Sequence, residues 1–432
     1  MKQYLTTDVY EEAMNRIAYI FNEFENVYVS FSGGKDSGVL LNLCLDYLRH
    51  HDPSRKIGLF HLDYEAQYQM TTDYVDEVFK DTKDVTEQYR ICLPISAQCS
   101  TSMFQTHWVP WEREKKDIWV RDLPQECVNE DNHTFDFFEK EMWDYDFQAK
   151  FGSWYQKHKG GGKTCCLVGI RADESLNRWR AVYSDGNARK YEHKNWVNIQ
   201  GDGMVNAYPI YDWQTRDIWI ANARNKWSYN RLYDLYHYAG LSIDQMRVAS
   251  PFNDCAQNSL KLYRVIDPNN WAKMVGRVNG VNFTAIYGGT TAMGWKNIKL
   301  PKGHTWESYM YFLLDTLPIE RKESYLAKLA TSIKFWKEKG GCLAEETIAK
   351  LRDHGVEIEV GETTAYKTSK RPVRMNYLDD IDIAEFKEIP TFKRMCICIM
   401  KNDHLCKYMG FSQTKEEVSR RKRVIQKYND IL

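Results

Sequence analysis

Six consecutive residues, Ser32-Gly33-Gly34-Lys35-Asp36-Ser37, have the types and spacing to grip a polyphosphate. Gly33 and Gly34 lack Cβ atoms, so the backbone there can curl tightly and approach an anion. Ser32 and Ser37 add hydroxyl donors, and Lys35 adds a cation that follows phosphate charge. An apolar run, Val39, Leu40, Leu41, Leu43, Cys44, Tyr47 and Leu48, comes next at helical spacing. The helix it predicts starts near Ser37 and points free N–H groups and its positive dipole end at the same anion. Asp36 is placed to help hold a Mg²⁺ that bridges phosphates. The P-loop is a competing motif, but it wants Gly-Lys followed by Ser or Thr, and here Asp36 follows Lys35. A second Gly-Lys-Thr, at 162–164, lacks the required glycine at 157, where Lys157 stands, and is read as a turn.

These residues need elements to position them. Val27-Tyr28-Val29-Ser30-Phe31 is a short β-rich segment, so the six residues sit between strand and helix. Val9, Ala13, Ile17, Ile20, Phe21 and Phe24 predict a helix over about 8–24. Further strands are expected at 57–62, around 90–93 and at 165–169, with helices over about 71–80, 135–158 and 214–238. This alternation implies an α/β fold: a Rossmann-like, doubly wound, mostly parallel sheet. Beyond Pro251 the strand signals fade. Residues 276–304 read as an ordered loop region, helices dominate from 305 to about 353, and 354–376 are polar and turn-rich. The expected division is a nucleotide-binding domain over 1–250 and a largely helical C-terminal region over 251–432.

Composition narrows the class. The chain has 432 residues, 43% hydrophobic and 27% charged, which fits two or three globular domains and argues against wholesale disorder. Net charge is zero, so the whole molecule is not an obvious polyanion binder. Basic residues do collect at Lys415, Arg420, Arg421, Lys422, Arg423 and Lys427. They read either as a solvated terminal helix face or as a nucleic-acid or acidic-partner contact. The opening MKQYLTTDVYEEAMNRI lacks the apolar core of a secretory signal, and no run approaches the ~18 apolar residues of a membrane span. Eleven scattered cysteines read as reduced thiols in a cytoplasmic protein.

Ser32–Ser37 after an apolar strand resembles the PP-loop of the adenine nucleotide alpha hydrolase superfamily, with its HUP-type fold. Leu62-Asp63-Tyr64-Glu65, Gly169-Ile170-Arg171-Ala172-Asp173-Glu174-Ser175 with Arg178, and Tyr208-Pro209-Ile210-Tyr211-Asp212-Trp213 leading to Asp217-Ile218-Trp219 narrow the resemblance to the phosphoadenosine phosphosulfate (PAPS) reductase branch. It covers roughly 20–250. The resemblance implies that Ser32, Gly33, Gly34, Lys35, Asp36 and Ser37 hold the β- and γ-phosphates of ATP. It also implies that Asp63 lies where the family touches the nucleoside, that Glu65 is a further nucleotide-binding residue, and that Arg171, beside Gly169 and Arg178, reaches a phosphate from the facing loop. Lys35, Asp36 and Arg171 would then be the catalytic set, with Mg²⁺ at Asp36. Thr291-Ala292-Met293-Gly294, Leu300 to Trp306, and Cys396-Ile397-Cys398 through Gly410-Phe411-Ser412 are similar to the immunoglobulin-binding regulator A (IbrA) co-activators. That subgroup implies a ParB-like partner and a role in transcription regulation or phage defence.

Several residues depart from the reductases. The Glu-Cys-Gly triplet that carries their cysteine is absent, so sulfonucleotide reduction lacks its nucleophile. Cys165-Cys166 matches half of an iron–sulfur ligand set, but no Cys-x-x-Cys exists, and two core cysteines are the simpler reading. Cys396, Cys398, His404 and Cys406 offer four soft ligands within eleven residues, as a zinc site or as a reduced buried cluster. Trp108, Trp111 and Trp119 interleave with Arg113, Lys115, Lys116 and Arg121, as a packed loop or as a nucleic-acid stacking surface. The functional expectation is ATP α-phosphate chemistry that activates an acceptor. The alternatives are a nucleotide-sensing regulator and a sulfonucleotide reductase or sulfurtransferase.

Overall fold

The computed structural model describes residues 6–102, 105–183, 190–201, 203–253, 260–278, 280–281, 298, 300–362 and 370–411. The basic residues from Lys415 to Lys427 and the segment Thr291–Gly294 lie outside the described residues. The chain divides into two compact units, Met1–Gln98 with His107–Val278, and Cys99–Thr106 with Asn279–Leu432.

The first unit begins with α1 (Val9–Glu23), capped by Asp8, whose carboxylate accepts the N–H groups of Tyr10 and Glu11. Then come β1 (Asn26–Ser30), α2 (Lys35–His51), β2 (Ile57–Leu62), α3 (Gln69–Asp81) and β3 (Thr86–Ile91). A small antiparallel pair, β4 (Ala97–Gln98) and β5 (His107–Trp108), precedes α4 (Asp144–His158) and β6 (Thr164–Val168). The unit continues through α5 (Leu176–Tyr183), β7 (Val197–Gly201), β8 (Met204–Ala207), α6 (Thr215–Asn225), α7 (Leu232–Tyr238), α8 (Tyr263–Ile266) and α9 (Pro268–Arg277).

The main sheet has the order β3-β2-β1-β6-β8-β7. All neighbours are parallel except β7, which runs antiparallel to β8. Side chains alternate across it. Val27, Val29, Leu59 and Leu167 face a core shared with Ile17, Ile20, Leu40, Leu43 and Val75 of α1, α2 and α3. Tyr28, Phe60, Leu62 and Cys166 face a second core with Phe147, Phe151 and Tyr155 of α4. Helices therefore cover both faces, and each large apolar side chain so buried contributes about 1.5–3 kcal/mol. The doubly wound reading holds.

β1 pairs with β2 on one side and β6 on the other, so the strand order reverses direction there. Such a switch point opens a crevice beyond the carboxyl end of the strand. Ser32–Ser37 occupies that end.

Three local expectations change. The helix expected over 135–158 begins only at Asp144, because Phe135 and Phe137 enter the second core from a loop. The helix expected over 214–238 is two: α6 ends at Asn225, and Lys226 adopts a left-handed φ of 55° before the chain turns toward α7. The β7–β8 hairpin was not anticipated, since Asn198, Gln200 and Asn206 interrupt its apolar signal.

The second unit contains α10 (Trp306–Asp315), α11 (Ile319–Glu338), β9 (Gly341–Leu343), α12 (Glu345–Asp353), β10 (Ile358–Val360), β11 (Arg371–Met375) and α13 (Phe392–Met400). The helices expected over 305–353 are present, with β9 between the last two. The polar stretch 354–376 nevertheless holds β10 and part of an antiparallel sheet of order β10-β11-β9. Its Val373 and Met375 pack with Leu343, Ile348 and Leu351.

Candidate functional site

Gly34 is the N-cap of α2 and brings no side chain to its free N–H groups. Gly33 sits at φ +73°, in the left-handed region that a Cβ disfavours, and a Cβ there would stand 3.1 Å from Val75 Cγ2. The hydroxyls fasten the bend. Ser37 Oγ donates to Gly34 O (3.1 Å) and accepts the Ser32 N–H (3.1 Å), with Ser32 Oγ 3.0 Å away.

The turn before α7 holds the loop from outside. Asn230, fully buried, donates to Gly33 O (3.0 Å) and Thr71 Oγ1 (2.9 Å). The Tyr233 hydroxyl accepts the Lys35 N–H at 3.1 Å. Sequence reasoning missed both residues, because it ran one helix through 214–238 and left no turn there to meet the loop.

From the facing side, the chain after β6 presses on the helix tip. A Cβ on Gly169 would lie 3.0 Å from Asp36 C and Ser37 N. Only glycine admits that approach, which sets Arg171 beside Asp36. Arg171 is 2% exposed and gathers three carboxylates: Asp36 (2.6 Å), Asp173 (2.9 Å) and Glu174 (2.7 Å). Lys35 Nζ pairs with the other oxygen of Asp36 at 2.8 Å, and Arg178 pairs with Glu174. Burial lowers the pKa of Lys35, and Asp36 partly restores it. A cleft of about 310 Å³ opens here, lined by Lys35, Arg171, Asp173, Glu174, Thr215, Ile243, Met246 and Arg247. The loop, Gly169, Arg171 and Arg178 are thus brought together.

Asp63 and Glu65 are not among the residues lining that cleft. Asp63 is 1% exposed, with its carboxylate on Arg90 (3.1 Å) and Arg121. Burial pushes its pKa up, but Arg121, His61 and Arg90 hold it well below the usual carboxylate range. Glu65 is fully buried and accepts from Arg277 (3.0 and 3.2 Å) and from the N–H groups of Trp111 (2.7 Å) and Val120 (2.9 Å). Both carboxylates tie the 108–121 segment and α9 to the end of β2. Trp108 and Trp111 are buried, Trp111 Nε1 donates to Asp63 O (2.7 Å), and Arg121 lies over the Trp111 ring. Of the two readings of that aromatic segment, the packed loop is what forms.

Of the zinc site and the reduced buried cluster, the described residues form the buried cluster. Cys396 and Cys398 lie on α13, where a two-residue step turns about 200° around the axis and sends the thiols apart. Cys396 Sγ donates to Trp306 O (3.5 Å) and Cys398 Sγ to Asp403 Oδ2 (3.7 Å). His404 bonds Ser102 O (3.2 Å) and Tyr325 OH (3.4 Å). Among the described residues no three His, Cys, Asp or Glu side chains are grouped to hold a metal ion. Cys396, Cys398 and Cys406 belong instead to the apolar core of the second unit, and burial lifts the Cys396 thiol to about 12. Cys165 and Cys166 are likewise core residues. No helix among the described residues is long and apolar enough to cross a membrane.

Residues 26–105 and 115–241 match the phosphoadenosine phosphosulfate reductase domain, and residues 240–420 match a domain of unknown function, DUF3440. The fold and the loop together define a PAPS reductase-like domain of the PP-loop superfamily. The chain belongs to the family of the uncharacterized protein YbdN of Escherichia coli (strain K12), with which it shares 33% identity over 417 residues, 96% of this chain and 93% of that one. The uncharacterized protein MJ0066 of Methanocaldococcus jannaschii is 26% identical over 237 residues, 52% of this chain but 38% of its own length. Among solved structures, PAPS reductase from Candida auris in a phosphate complex is 14% identical, covers 52% of this chain and 84% of its own, and has a TM-score of 0.28. That last likeness carries no weight in the assignment.

Proposed function

We propose that this protein binds ATP at the Ser32–Ser37 loop and activates an acceptor at the α-phosphorus, releasing pyrophosphate. The observation that carries this reading is the loop's place at the switch point, with Lys35 and Arg171 converging on one cleft. The loop and helix tip grip the β- and γ-phosphates. Arg171 exchanges a carboxylate partner for phosphate oxygens, which its planar fork holds in pairs. The loop then positions the nucleotide and stabilises charge on the departing pyrophosphate.

Magnesium would travel with the ATP phosphates, where it neutralises their charge. Asp36 is the loop's carboxylate, but both of its oxygens are held by cations, so it fits a Mg²⁺ only once Lys35 or Arg171 moves onto phosphate. Among the described residues no cysteine lines the cleft, and the sequence lacks the Glu-Cys-Gly triplet of the reductases, which speaks against reduction of a sulfonucleotide. A nucleotide-sensing regulator of the IbrA type, with a ParB-like or nucleic-acid partner, rests on sequence resemblance alone. Pyrophosphate release discriminates the readings. Purified protein that turns ATP over to pyrophosphate with an acceptor supports the enzyme, whereas ATP binding without any release refutes it.

A further inference from the structure

Thr215, Ile243, Met246 and Arg247 give the cleft a wall of different chemistry from Lys35 and Arg171. Ile243 is 54% exposed, Met246 is buried, and a reciprocal Ser242–Gln245 capping box fixes the turn that carries them. Residues 243–247 lie beyond the reductase-domain match at 26–241 and inside the DUF3440 match at 240–420. Three of the wall's four residues, Ile243, Met246 and Arg247, are therefore supplied by sequence that the reductase-domain match does not include.

Its charge is unspent. Lys35 is paired with Asp36, and Arg171 with Asp36, Asp173 and Glu174. Arg247 donates to the backbone carbonyl of Glu174 at 3.2 Å and has no carboxylate partner among the described residues. Among its described lining residues the cleft also offers no free carboxylate or imidazole base. No histidine is among the described lining residues, and Asp173 and Glu174 are tied to Arg171. A hydroxyl or ammonium acceptor would find no unpaired base among these residues to remove its proton. An acceptor that is already a free anion at neutral pH needs no base.

We infer that Arg247, Thr215, Ile243 and Met246 form the acceptor subsite and take an organic carboxylate with a short apolar tail. The inference rests on the ATP reading above. One carboxylate oxygen pairs with Arg247 and the tail lies on Ile243 and Met246. The other oxygen attacks the α-phosphorus, and the bond from that phosphorus to the bridging oxygen breaks. Pyrophosphate leaves with the electron pair into the loop, no proton moves, and an acyl adenylate remains.

The test is exchange of labelled pyrophosphate into ATP by the full chain with Mg²⁺, using acetate, butyrate and hexanoate as probes. Butyl phosphate and butylamine serve as comparison arms. The expected result is exchange that requires a carboxylate and strengthens from acetate to the longer acids, with hydroxylamine trapping the hydroxamate. Arg247→Ala should raise the KM for the carboxylate at least tenfold more than the KM for ATP, and Arg247→Lys should recover part of the loss. Exchange driven by butyl phosphate or butylamine would overturn the inference. So would equal KM changes for both substrates, or no exchange with any carboxylate in a chain that binds ATP through Lys35 and Asp36. A chain that binds no ATP at all would remove the loop reading itself.

Discussion

Arg171 and Asp36 follow two neighbouring strands, β6 and β1, and meet in a 2.6 Å ion pair at the cleft. The pair joins the two sides of the crevice before any ligand arrives. It also keeps a carboxylate where a phosphate would be welcome. Arg171→Ala leaves Asp36, Asp173 and Glu174 without their shared cation. We expect a loss of about 2 kcal/mol in urea unfolding, below the usual figure for a broken buried pair because Asp173 is part-exposed. ATP affinity should fall with it, and Arg171→Lys should restore stability better than affinity.

Gly169 tests the close approach. Its absent Cβ would meet backbone atoms of Asp36 and Ser37 at 3.0 Å, and backbone does not swing aside as a flexible side-chain tip would. Gly169→Ala should cost about 1–3 kcal/mol, as overpacking does, and displace the tip of α2. Calorimetry should then record weaker ATP binding in a chain that still melts cooperatively.

Tyr233 tests the outer hold on the loop. Tyr233→Phe leaves the buried Lys35 N–H without its partner, an effect of about 1–3 kcal/mol. Thermal melting measures it. Tyr236→Phe, on the same helix but packed against Tyr68, should leave ATP affinity unchanged while Tyr233→Phe weakens it.

His61 sets a pH dependence. It is 1% exposed, and burial lowers its pKa to about 4 although Asp63 is near. The fold therefore holds the neutral ring, while the unfolded chain takes a proton below about 6.5. Its contribution is complete above pH 6.5 and is lost progressively as pH falls toward 4, by about 3 kcal/mol in all. His61→Asn, which keeps a donor for Phe31 O, should flatten the stability curve between pH 6.5 and 4.

Removing metal tests the buried-cluster reading of the cysteines. Because Cys396, Cys398 and Cys406 are packed in an apolar core, treatment with EDTA should leave the melting temperature unchanged. A chelator-induced drop would restore zinc to that unit.

Legibility tracked local signals. The run from Val27 to Leu48 carries strand, loop and helix within one short stretch, so the loop and its dipole were readable without neighbours. Arg171 was readable through its motif. Asn230 and Tyr233, which hold the loop, and Arg247, which lines the cleft, were not, since they arrive only by tertiary placement, about 200 residues after the loop. The β7–β8 hairpin and the β9–β11 sheet were hidden because short strands with polar faces give little alternation to count. Asp63 and Glu65 read as open ligands because sequence shows carboxylates and not the arginines that fold onto them.

The most direct measurement is calorimetric titration of ATP with Mg²⁺ into the intact chain, into Lys35→Ala and into Asp36→Asn, each checked for folding by circular dichroism. The account predicts one site in the intact chain and at least tenfold weaker binding in both variants. Equal affinity in folded Lys35→Ala, or no binding in the intact chain, would contradict it.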